Sequence, residues 1–163
     1  MVFVTVGSQK FPFDRLMHAV DELAASGAVE GGVFAQTGAC SYVPERCDHM
    51  AFLDRDEFAR FMERAEVVVT HAGTGAIVGA VKRGKRVVAV PRLARYGEHV
   101  DDHQVEIVRQ FAEMGLIEPC YDPAELPQAY ERALAGEYRT YESNTDNFVA
   151  DLGAYLDEIG GGR

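Results

Sequence analysis

A parallel α/β sheet covered by helices on both faces is the fold class this sequence predicts, and three observations predict it. Short apolar runs alternate with stretches of helical periodicity along the chain. Two of those runs, residues 67–70 and 87–90, are apolar toward both faces, as strands covered on both sides must be. The first of them stops abruptly at His71-Ala72-Gly73-Thr74-Gly75, where a helical pattern begins, which is the strand, tight turn and helix start of a Rossmann-like sheet.

Taken in order, residues 2–6 form a strand-like run of β-branched and aromatic side chains. Residues 14–26 have helical spacing and stop at Gly27. Strands at 33–36 and 49–53 precede a helix over 56–65, the strand at 67–70 and a helix over 74–83 stopped by Gly84. A strand at 86–90, a helix over 101–114 stopped by Gly115 and a strand at 116–120 continue the alternation. Asp122-Pro123-Ala124-Glu125 then combines a capping acid, a first-turn proline and a glutamate three residues after the cap, and starts a helix running to about residue 134. Residues 143–159 place Phe148, Leu152, Tyr155 and Ile159 at helical spacing, a closing amphipathic helix before a glycine-rich tail.

At 163 residues the chain reads as one domain, 1–163, large enough to bury roughly 70% of its unfolded surface. Three cysteines at irregular spacing argue against a disulfide framework and for a reducing, cytoplasmic setting, and they lack the paired spacings of structural zinc. A net charge of −10 disfavours nucleic acid and anionic lipid, whose phosphates call for clustered Lys and Arg. No window has the ~18 consecutive apolar residues of a membrane span, and the first residues lack the basic flank of a signal peptide. Work at a membrane would therefore pass through a partner.

The strand–helix junction at 71–75 leaves backbone N–H groups unpaired at the positive end of a helix, and small residues let an anion approach them. Residues 97–104 (Gly-Glu-His-Val-Asp-Asp-His-Gln) gather carboxylates, imidazoles and an amide suited to neutral hydroxyls. Ligands of open parallel sheets sit outside the carboxyl ends of the strands, where these two loops and Gly7-Ser8-Gln9 converge. Phosphate on one side and polyol on the other describe a nucleotide-sugar.

On these motifs the chain resembles the C-terminal, nucleotide-sugar-binding half of GT-B glycosyltransferases. The resemblance runs from Val4-Thr5-Val6-Gly7-Ser8 through His71-Ala72-Gly73-Thr74-Gly75 to Tyr96-Gly97-Glu98-His99-Val100-Asp101-Asp102-His103-Gln104. It is strongest to the stand-alone subunits of two-component enzymes: the catalytic subunit that adds the second N-acetylglucosamine to dolichyl diphosphate, and bacterial exopolysaccharide subunits that extend an undecaprenyl-diphosphate sugar. The resemblance implies an inverting hexosyltransferase subunit that takes a sugar from UDP-GlcNAc, UDP-GlcA or a similar UDP-sugar. The acceptor is a polyprenyl-diphosphate-linked sugar, and a membrane-anchored partner carries the other GT-B half at the cytoplasmic membrane face.

By the same resemblance Gly7, Ser8 and Gln9 face the diphosphate and acceptor cleft. His71, Gly73, Thr74 and Gly75 surround the diphosphate, Asp102, His103 and Gln104 face the sugar hydroxyls, and the uracil lies near Phe52 and Leu53. Backbone N–H groups, a helix N-terminus and a protonated His71 stabilise the leaving UDP, so no metal or other cofactor is implied. The general base is not identified, with His99 and Asp102 within reach. Many relatives carry a ribose-binding glutamate where this chain has Gly79, which leaves Glu98 as a substitute.

Two rival functions use the same residues. Gly73-Thr74-Gly75 followed by Gly79 imitates a dinucleotide fingerprint, with Arg92 placed for a 2′-phosphate, as in an NAD(P)-binding oxidoreductase. A non-catalytic regulatory subunit would bind the sugar nucleotide without turnover. No G-x-S-x-G elbow supports a hydrolase. The Phe11-Pro12-Phe13 loop and the group Arg92, Arg95 and Tyr96 read as exposed subunit contacts.

Overall fold

The computed structural model describes residues 1–141. Six parallel strands, β1 (Val2–Thr5), β2 (Val33–Gln36), β3 (Asp48–Met50), β4 (Val67–His71), β5 (Arg86–Val90) and β6 (Glu118–Pro119), stand in the order 3-2-1-4-5-6. The chain reverses its direction of growth between β1 and β4. In an open sheet that switch point is where a crevice opens at the carboxyl ends of the strands.

The period-two alternation of the central strands distributes the core to two faces. Val67, Val69, Val88 and Val90 point to one side, where helices α1 (Asp14–Ala25) and α5 (Leu126–Ala135) supply Leu16, Val20, Leu23, Leu126 and Ala133. Val68, Val87 and Ala89 point to the other, covered by α2 (Arg55–Arg64), α3 (Thr74–Val81) and α4 (His103–Glu113). An aromatic cluster anchors α2 there: the Phe34 and Phe61 rings stack with centroids 3.7 Å apart, and Phe58 meets Phe3 edge-on at 5.3 Å.

Several element boundaries differ from the sequence reading, each for a local reason. The strand expected over 49–53 stops at Met50, because β2 ends at Gln36 and the Ala51 carbonyl is taken by Gly38 N–H and the Gln36 side chain instead of a ladder partner. The strand expected over 116–120 shrinks to two residues, since Leu116 N–H still closes α4 on Phe111 and Pro119 has no N–H to donate. The expected capping box at Asp122 does not form, since Glu125 N–H goes to the Asp122 carbonyl. The Asp122 carboxylate accepts from Ala124 N–H, a 3₁₀ turn occupies Pro123–Glu125, and the α-helix begins at Leu126. The helix expected over 101–114 starts at His103, because the Asp102 carboxylate is drawn back to Ala94 N–H while that of Asp101 accepts from His103 N–H at the helix start. The expected helix at 143–159 lies outside the described residues, as does the tail.

The start of α2 carries the full reciprocal cap that Asp122 lacks. Asp54 accepts from Asp56 and Glu57 N–H at 2.9 and 2.8 Å, while Glu57 accepts from Asp54 N–H. Asp54→Ala removes that cap at an exposed helix end, with an expected loss of about 1 kcal/mol in the urea midpoint analysis and no change in fold.

Candidate functional site

The parallel register fixes which loops meet. Thr5 stands beside Thr70, and His71 beside Val90, so the residues leaving β1, β4 and β5 emerge side by side at the switch point. Gly7 turns the chain away from β1 with φ +74°, a left-handed conformation suited to glycine. The turn is held by the buried Gln36, whose amide donates to Gly7 O at 2.9 Å while its oxygen accepts from the Thr5 hydroxyl at 2.5 Å. The Thr5 hydroxyl in turn accepts from Gly7 N–H. Sequence reasoning missed Gln36; its one signal was a polar residue at the last position of an otherwise apolar strand.

Two glycines make room for the imidazole of His71. A Cβ on Gly7 would stand 2.8 Å from its Cε1, and a Cβ on Gly73 would overlap its Nε2. Nδ1 lies 3.5 Å from both the Thr5 carbonyl and the Thr70 hydroxyl. Burial, followed by the positive charge of Arg92, pushes its pKa down to about 4. His71 is therefore neutral near pH 7, which corrects the expectation of a cationic histidine: it offers the site a hydrogen-bonding ring and no charge.

Beyond His71, the helix start is open. Gly73 caps α3 with no side-chain hydrogen bond, and its carbonyl takes Ala76 and Ile77 N–H. Thr74 and Gly75 are exposed, and their N–H groups have no hydrogen-bond partner among the described residues. Open N–H groups at a helix N-terminus are able to take an anion, which is what the sequence pattern at 71–75 leads one to expect. Ser8 and Gln9 are exposed beside Gly7.

The 97–104 loop separates into residues that build the site and residues left facing it. Glu98 is 3% exposed and gives both carboxylate oxygens to Arg15, at 2.7 and 2.8 Å, and one also to Leu93 N–H. A carboxylate so committed has no capacity for ribose, so the substitute role expected of Glu98 is corrected: it sews the loop to α1. Asp102 accepts from Ala94 N–H at 2.7 Å and is otherwise exposed. Gln104 is buried; its Oε1 accepts from Arg92 N–H at 3.0 Å, and its Nε2 has no partner among the described residues. His103 bonds Asp101 through Nδ1, holding that carboxyl below its usual range, and His99 Nδ1 lies 3.4 Å from the same carboxylate. Ligand atoms of His99, Asp101 and His103 lie within 4.8 Å of one another, a set able to hold a cation that the sequence reading did not anticipate.

Phe52, 55% exposed, and the partly buried Leu53 follow β3, three strand spacings from β4. At ~4.8 Å per spacing they stand about 14 Å along the edge from His71. Phe13 was expected on an exposed loop; it is instead fully buried, its N–H donating to Cys40 Sγ, because Arg15 and Arg92 cover its ring at 5.7 and 5.5 Å. Phe11 remains at the rim and packs on His99, tying the first loop to the 97–104 loop. Arg92 is 1% exposed, so it is neither the surface residue expected nor able to touch a 2′-phosphate. The dinucleotide reading loses its phosphate ligand there.

Two outcomes test this geometry. Gly73→Ala should displace the imidazole and abolish anion binding while leaving the fold intact, because the clash falls on the one side-chain ring at the end of β4. The ring of His71, followed by NMR, should titrate near pH 4. Between about 4 and 6.5 the unfolded chain binds the proton that the native ring refuses, so stability should fall as pH drops through that window.

Residues 1–155 match the family described as Glycosyltransferase family 28 C-terminal domain. Two curated relatives are UDP-N-acetylglucosamine transferase subunits named ALG13. That of Yarrowia lipolytica is 38% identical over 55 residues, covering 34% of this chain and 26% of that protein. The human one is 28% identical over 128 residues, covering 73% of this chain and 11% of that protein. The chain thus spans a small part of either relative's length. The solution structure of ALG13 superposes with a TM-score of 0.58 at 16% identity, covering 93% of both chains. The calicheamicin glycosyltransferase CalG4 superposes at 0.59 with 18% identity, covering 80% of this chain and 34% of its own. MurG of Acinetobacter baumannii does so at 0.56 with 17% identity, covering 80% and 40%. These likenesses show that the six-stranded sheet is the fold of a GT-B half, and with the family match extending over nearly its whole length, the chain belongs to the glycosyltransferase family 28 C-terminal domain family.

Proposed function

We propose that this chain is the donor-binding subunit of a two-component glycosyltransferase that moves a hexose from a UDP-sugar to a polyprenyl-diphosphate-linked sugar, inverting the anomeric carbon. The observation that carries the reading is the open start of α3 at the switch point, with Thr74 and Gly75 N–H groups beside a neutral His71. Those groups take the diphosphate. As the glycosidic bond breaks, negative charge grows on the leaving UDP, and fixed N–H dipoles stabilise it without reorganisation. Family membership and the named activity of the ALG13 relatives agree with a UDP-sugar as donor.

Gln104 Nε2 and the free oxygen of Asp102 are the groups left to read the sugar hydroxyls, with His103 beside them, and Phe52 and Leu53 flank the uracil. Ribose recognition uses neither Glu98 nor a side chain at Gly79. The acceptor and the base that deprotonates it belong to the other GT-B half, carried by a membrane-anchored partner. No helix of the described residues is long and apolar enough to cross a membrane, so docking at the cytoplasmic membrane face falls to that partner.

The test is the thermal midpoint of the chain against UDP, UDP-GlcNAc, UDP-GlcA, ADP, GDP and NADPH. A ligand at one hundred times its Kd adds ~2.7 kcal/mol, a shift of several degrees. UDP species should raise the midpoint and NADPH should not; the reverse would overturn the reading. With the partner present, His71→Ala should cut transfer strongly. Gln104→Glu keeps an acceptor for Arg92 N–H but removes the amide donors, so it should lose transfer with less than the ~1–3 kcal/mol stability cost expected of Gln104→Ala. Binding without turnover alongside the partner would favour the regulatory subunit.

A further inference from the structure

We propose that Arg92 is the fixed positive charge of the donor site, a guanidinium sealed beneath the first loop that attracts the diphosphate through space without touching it. The proposal rests on the donor-site reading above. Arg92 leads away from β5 into the protein and is the largest fully buried side chain among the described residues. Its Nη2 donates to Val6 O at 2.8 Å, directly under the Gly7 turn, and its ring-facing side lies over Phe13. Nε and Nη1 are buried with no hydrogen-bond partner among the described residues.

A guanidinium stays charged in proteins, and burying one normally calls for a carboxylate. The nearest candidate is Glu98, but Arg15 takes both of its oxygens and Leu93 N–H one of them again. Two cations therefore share one anion, and an uncompensated positive charge remains. Cys40 does not cancel it, because burial pushes that thiol up to about 11 and keeps it protonated. The contacts to the Val6 carbonyl and the Phe13 ring leave two donors of this buried cation idle, and each such group asks for a reason.

The charge is felt at the site. After burial, Arg92 is the largest influence keeping the His71 ring deprotonated, ahead of His99; the other groups facing that ring are the uncharged Thr5 carbonyl and Thr70 hydroxyl. A field that repels a proton at His71 attracts a diphosphate at the same loops. Because the charge is behind the backbone and out of water, salt screens it less than it would a surface lysine.

An electrostatic role scales with ligand charge, and a packing role does not. The experiment measures the affinity of the full chain for uridine, UMP and UDP by calorimetry or NMR titration, in the natural chain and in Arg92→Gln, Arg92→Lys and Cys40→Asp. Arg92→Gln should weaken UDP by about tenfold, UMP less and uridine not at all, with Arg92→Lys restoring most of the loss. Cys40→Asp leaves Arg92 in place, sets a carboxylate beside it and should weaken UDP in the same graded way, so the proposal stays testable if Arg92→Gln fails to fold. The His71 ring should titrate at higher pH in both neutralised variants. Equal weakening of uridine and UDP, or no weakening in any folded variant, overturns the proposal and leaves the donor-site reading standing. A natural chain that binds none of the three, alone and with its partner, overturns both.

Discussion

The pairing of β1 with β4 is the constraint on which the rest of this molecule depends. These strands are distant in sequence yet adjacent in space, and the sheet grows outward from them in both directions. Their register, Thr5 against Thr70, sets Gly7 against His71. A slip by one residue would turn Val68 and Phe3 from one face of the core to the other and would break that juxtaposition. Valines on both faces of β4 and β5 would stay buried after such a slip, so what marks the register is the strand end, where the Gly7 turn meets the His71 ring.

On that frame the site is assembled from backbone more than from side chains. A left-handed glycine, an uncapped helix and a pair of glycines that admit an imidazole create an edge of open N–H groups in a protein whose net charge is −10. Local dipoles reconcile that edge with an acidic chain: the N–H groups at the start of α3 act within their own turn, while surface carboxylates are separated and screened. The one buried carboxylate of the 97–104 loop is neutralised by Arg15. Acidity at the surface and electropositivity at the crevice therefore coexist.

The fold was legible because its signals are local and repeated. Period-two strands, helical spacing and glycine stops report on neighbours within a few residues, and they placed the six strands and the helices of the described residues near their observed positions. Boundaries were lost where a side chain competed for the backbone, as Gln36 does for the Ala51 carbonyl. The backbone geometry of the candidate site was legible where motif and turn coincide, at Gly7 and at 71–75. It was misread where residue type suggested one environment and tertiary structure supplied another. Glu98 reads as a free acid until Arg15, 83 residues away, is folded against it. Arg92 reads as a surface cation until Phe13 and the Val6 carbonyl enclose it. Protonation of His71 depends on that same enclosure, so its charge could not be read from the motif around it.

The packing of one imidazole between two glycines also constrains how this sequence can drift. Gly7, His71 and Gly73 occupy three positions but form a single unit of inheritance: any side chain at 7 or 73 collides with the ring, and a smaller residue at 71 would leave a void between the two turns. A single substitution at any of the three therefore disturbs the other two, and a different arrangement calls for simultaneous change.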